Sequence, residues 1–150
     1  MHVSNYKPGR SHRRRRGRGQ AMVEFALILP VFVLILSGVL DFGFLLYSRM
    51  TVINASREGA RASVTAADPT TIPSVAQGAA QGVSSGLTNG ITVTTKCIPI
   101  ASASCSWATK GSSQPGDAVS VTVSYSYHSF FPLSFGANIP LSSTVQMVLE

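Results

Sequence analysis

Charge is missing where it would matter most. Residues 1–19 contain no Asp or Glu, and Phe25–Leu40 contain no charged residue of either sign. Catalytic signatures are equally scarce. The three histidines are His2 and His12 near the N-terminus and His128 in an alternating segment, so no pair has metal-ligand spacing. No G-x-S-x-G elbow, P-loop or H-E-x-x-H occurs, and the many Ser and Thr have no evident base beside them. The expectation is a protein that is not an enzyme, with no cofactor, no metal and no small-molecule substrate. Two cysteines, Cys97 and Cys105, are all the chain has. In an exported domain they read most simply as one disulfide, with a free-thiol pair as the alternative.

What is present divides sharply along the chain. The net charge of +6 is a property of the tail: Lys7, Arg10, Arg13–Arg16 and Arg18 precede Gly19, whereas from Gln20 onward five basic residues face six acidic ones. The arginines could bind phosphates of nucleic acid or lipid, yet no base-reading module accompanies them. Topology and lipid contact explain them, and no nucleic-acid partner is expected. Apart from Asp41, apolar character persists from Phe25 to Tyr47, 23 residues. At 1.5 Å per residue that is about 35 Å of helix, enough for a hydrocarbon core of roughly 30 Å. Cations favour the cytoplasmic side. The reading is a single-pass protein of the cytoplasmic membrane: a basic cytoplasmic leader over 1–19, a transmembrane helix over 20–47 and an extracytoplasmic domain over 48–150. An ordinary signal peptide fits less well, because the apolar run is long, no A-x-A site follows and the helical pattern continues beyond it. A twin-arginine signal departs from the expected residues after the Arg pair.

Periodicity supplies the fold class. One long helix is expected from Ala21 to about Thr65, kinked at Pro30, and a short second helix from about Pro73 to Ser85. After Gly90 the period changes from 3.6 to 2. Ile91–Ile98, Ala118–Phe130 and Ser142–Glu150 read as strands, with Val119, Val121, Val123, Tyr125 and Tyr127 on one face. This is an α+β chain with a small antiparallel sheet of three to four strands, covered by the second helix and the outer half of the first. Trp107 and the Ser129–Phe135 loop are expected to plug the core or pack on the sheet edge.

Glu24 opens the apolar run. An unpaired carboxylate in the apolar layer costs a few kcal/mol, although a position near the interface relieves part of that. Cleavage after Gly19 would place a new α-amine on Gln20 about one helical turn away, within reach of this carboxylate or that of a neighbouring subunit. Asp41, near the other end of the run, could simply reach water. It also lies on a stripe with Ser37, Ser48 and Ala55 that would suit a partner membrane helix. Outside the run, Arg57, Glu58 and Arg61 form a candidate docking face, with a possible Glu58–Arg61 pair worth a few tenths of a kcal/mol.

Gly19, four residues and then Glu24 resembles the cleavage signature of type IV prepilins. The longer stretch GQAMVEFALILPVFVLILSGVLDFG, followed by INASREGARAS, is similar to the TadE-like family, pseudopilins of tight-adherence (Flp) pilus systems. The resemblance is specific over residues 17–62 and general over the sheet. It implies a pilin-like fold, processing at Gly19 and Gln20 by a prepilin peptidase, and other pilins or pseudopilins and the pilus assembly platform as partners. Gln20 stands where major type IV pilins have Phe. The alternative is an uncleaved single-pass surface or accessory protein that binds an envelope partner.

Overall fold

A computed structural model of the chain describes residues 17–101, 104–107, 115–130 and 138–149. The arginine cluster Arg13–Arg16 and the loop residues Phe131–Phe135 lie outside the described residues. The elements run α1 (Gly17–Val64), a 3-10 turn (Pro69–Thr71), α2 (Ile72–Val83), β1 (Thr92–Ile98), β2 (Ala118–His128) and β3 (Asn138–Val148). The α+β class, the two helices of unequal length and the three-stranded antiparallel sheet are those expected from the change of period.

The chain divides into two compact units, residues 1–36 and 37–150. In the first, every residue from Gly19 to Leu36 is exposed. The helix passes through Pro30 without a break, since losing one backbone donor does not end an element of 48 residues. Among the described residues, α1 is the one helix long and apolar enough to cross a membrane.

The second unit is a helix-on-sheet head. β2 lies centrally, antiparallel to β1 on one side and β3 on the other, with Val121 opposite Thr95 and Val145. Its alternation buries Val119, Val121, Val123, Tyr125 and Tyr127 against Val52, Ala55 and Ala60 of α1 and Ile72, Ala76 and Ala80 of α2. Small residues set how closely these layers approach. A Cβ on Gly59 would lie 3.1 Å from the Ala76 carbonyl oxygen and 3.2 Å from Val121 Cγ1. Hydroxyls buried in the same seam find acceptors on their own helix: Ser63 donates to the Gly59 carbonyl (2.6 Å) and Ser56 to that of Ile53 (2.8 Å). Ser56 Oγ also meets Ser143 Oγ on β3 at 2.9 Å.

Some boundaries shift for local reasons. β3 starts at Asn138 rather than Ser142 and takes in Pro140 opposite Ser126, which an edge strand tolerates because proline's missing donor can face outward. β2 stops at His128, two residues before Phe130. The second compact unit begins at Ser37. Trp107 packs on the core as expected, but Phe130 does not: it is 94% exposed. Cys97 and Cys105 are joined in a disulfide, Cα atoms 5.6 Å apart. Beside it the buried Asp117 carboxylate accepts the backbone N–H groups of Ile100 and Ala101 at 3.1 and 3.0 Å, fixing the base of the linker.

Candidate functional site

Gly19, Gln20 and Glu24 lie exposed in the first turns of α1, which starts two residues before Gly19. The Gly19–Gln20 bond is therefore near a helix end, where the first backbone N–H groups have no helical partner. Gln20 and Glu24 are an i,i+4 pair and share a face of the helix.

Asp41 on α1 accepts hydrogen bonds from the end of β2 and the residues after it. Tyr127 Oη donates to Asp41 Oδ1 at 2.7 Å and lies 3.1 Å from the Asp41 carbonyl oxygen. Ser129 Oγ donates to Oδ2 at 2.7 Å, and the Phe130 backbone N–H donates to Oδ1 at 2.8 Å. Three donors from the end of β2 thus converge on one carboxylate. Burial, reinforced by the hydrogen bond to Asp41, by its negative charge and by nearby Tyr125, pushes the Tyr127 hydroxyl up to about 12.

Asp41 engages the chain's own sheet, while Ser48 is buried in the head and Ser37 lines a cleft beside it. The stripe of small and polar residues that suits a second membrane helix equally suits the polar end of a strand, and the head occupies it. The cleft, about 450 Å³, is bounded by Leu40, Phe44 and Tyr47 of α1, the Gly86–Asn89 turn and the end of β2. Sequence reasoning read Asp41 as reaching water or facing a partner helix and missed Tyr127 and Ser129, which lie 86 and 88 residues away. The one available signal was Tyr127 itself, the last apolar-face residue of its strand.

The segment Ala55–Arg61 divides by face. Gly59 and Ala60 turn inward against α2 and β2, while Arg57, Glu58 and Arg61 are exposed together on the outer side. Among the described residues Glu58 and Arg61 form no ion pair, contrary to the pairing considered from their spacing. A few tenths of a kcal/mol is too little to hold two long side chains out of water. Cys97, Cys105 and Asp117 also lie close enough to share an ion. The disulfide uses both thiols, however, and the carboxylate serves backbone N–H groups.

A sequence model of TadE-like proteins matches residues 19–61. The chain carries a TadE-like segment. No curated protein and no solved structure gives a significant match. The TadE-like segment holds Gly19, Glu24, Asp41 and the exposed Arg57, Glu58 and Arg61, and it ends where α1 nears its end. It points to a protein associated with tight-adherence pili, and its apolar helix fits membrane anchoring.

Proposed function

We propose that the protein is a pseudopilin or minor pilin of a tight-adherence pilus assembly system, with a structural and assembly role, processed after Gly19 by a prepilin peptidase. The observation that carries this reading is the TadE-like match over residues 19–61, which begins at the glycine and takes in Glu24 at the mouth of an exposed apolar helix. Before processing, seven cations hold the N-terminus at the cytoplasmic face of the bacterial membrane. Cleavage removes all of them. The new Gln20 α-amine and the Glu24 carboxylate then form an opposite-charge pair, within one subunit or between neighbours, that offsets the cost of a carboxylate in the apolar layer. The exposed Arg57, Glu58 and Arg61 are the face we assign to other pilins or to the assembly platform.

Co-expression with a prepilin peptidase tests the reading. Intact-mass and N-terminal sequencing should find a chain starting at Gln20. A chain still carrying residues 1–19 on the assembled or membrane-extracted protein would refute it and favour the uncleaved, membrane-anchored accessory protein.

A further inference from the structure

The uncharged run Phe25–Leu40 has 16 residues, about 24 Å of helix at 1.5 Å per residue. A hydrocarbon core of roughly 30 Å needs about 20 residues, which, counted from Phe25, ends near Phe44. The apolar layer therefore extends past Asp41. A bare carboxylate at that depth is costly, and intramembrane acids pair with other groups or face protected polar surroundings. Asp41 has such surroundings in the donors of Tyr127, Ser129 and Phe130.

The same hydrogen bonds fix what lies beside the acid. Because the Phe130 backbone N–H is bound to Asp41, the Phe130 ring, 94% exposed, is held at the level of Asp41. Phe44 and Tyr47, which line the adjoining cleft, are also more than half exposed. Among the described residues no Lys or Arg lines that cleft, and Leu40, Phe44 and Tyr47 of α1 form one wall of it. Aromatic rings are favoured at the membrane–water boundary.

We propose that this end of the head is a membrane seat: Phe130, Phe44 and Tyr47 settle into the glycerol and upper acyl region of the phospholipid leaflet from which α1 emerges, with lipid chains entering the cleft. Asp41 acts as a positioning residue that holds the end of β2 down on the lipid. The proposal rests on membrane anchoring through α1 and adds a second, peripheral contact made by the head.

Depth-resolved quenching of the full chain in phosphatidylethanolamine and phosphatidylglycerol nanodiscs tests it. In a Trp107→Phe background, single probes are placed by Val31→Trp in the apolar run, Phe130→Trp at the seat and Thr65→Trp beyond the far end of α1. Brominated acyl chains should quench the first two and spare the third, while aqueous iodide should quench the third alone. A quenched Val31→Trp with Phe130→Trp open to iodide overturns the seat and leaves the anchor standing. An unquenched Val31→Trp overturns both. A Phe130→Trp probe shielded from lipid and iodide alike, with cross-links to a second copy, replaces the lipid with self-association and also overturns the proposal. Adding Asp41→Ala should cause loss of lipid quenching at Phe130→Trp, with helix content by far-ultraviolet circular dichroism and Val31→Trp quenching unchanged. Retained quenching overturns the role given to Asp41.

Discussion

Tyr127 Oη and Asp41 Oδ1 are 2.7 Å apart, joining the end of the central strand to the long helix across 86 residues of sequence. Hydrogen bonds to a charged acceptor contribute about 1.5–3 kcal/mol. Removing the carboxylate takes an acceptor from three donors at once, leaving Tyr127 Oη the Asp41 carbonyl, whereas removing one donor leaves two others in place. Asp41→Ala should therefore destabilise the head by about 2–4 kcal/mol and Tyr127→Phe by about 1–2 kcal/mol. Urea unfolding of the full chain in detergent, followed by near-ultraviolet circular dichroism, measures both; equal effects would mean that Ser129 and Phe130 contribute nothing.

The hydroxyl of Tyr127 also sets an alkaline limit. Its folded value of about 12 lies above the ordinary 10.0, so the folded state holds this proton more tightly than the unfolded state. The contribution is complete below pH 10 and is lost as pH rises from about 10 towards 12. Stability should decline over that window, and Tyr127→Phe should flatten the part due to this group. Absorbance near 295 nm should show one tyrosine titrating late.

Gly59 lets α1 pack closely against both α2 and β2. Alanine there gains helix propensity worth about 1 kcal/mol, but its methyl would press on the Ala76 carbonyl, a backbone atom that cannot swing aside. Overpacking costs about 1–3 kcal/mol. Gly59→Ala should be mildly destabilising, by about 1 kcal/mol, and Gly59→Leu should prevent the head from folding. Protease resistance of the head ranks the two.

Glu24 is exposed on α1, in the separate unit that precedes the head. Glu24→Gln should leave the head's melting curve unchanged and greatly reduce recruitment into pilus assemblies, read by co-purification with partner pilins. Normal recruitment would count against the amine–carboxylate pair.

Replacing Cys97 and Cys105 with Ser opens a short loop whose closure contributes about 2–3 kcal/mol in the chain-entropy account. The variant should melt lower while retaining membrane extraction with detergent, because the disulfide is remote in sequence from α1. A reducing agent added to the parent protein should reproduce the shift.

The architecture was legible because the hydrophobic period changes once, after Gly90, and because Pro30 is the one strong helix breaker within α1. The alternation Val119, Val121, Val123, Tyr125 and Tyr127 specified the buried face of β2 without help from any neighbour. Long-range polar pairing was not legible. Nothing local in Asp41 tells whether it meets water, another helix or its own sheet, and the stripe with Ser37 and Ser48 fits the last two alike. Phe130 misled for a related reason: an aromatic residue next to an apolar loop normally reads as core, but here its backbone N–H binds Asp41 and its ring is exposed. Asp117 passed unnoticed because a buried carboxylate serving two backbone N–H groups leaves no spacing pattern.

Ser56 on α1 meets Ser143 on β3 across 87 residues, and β2 lies between a strand that precedes it and one that follows. Such distant contacts require loop-closure entropy to be lost before they stabilise anything, so folding is slow relative to local helix formation. A chain threaded through a translocation channel would carry its helices long before its sheet. On the proposed topology the head would then consolidate only once β3 has joined α1 in the same compartment.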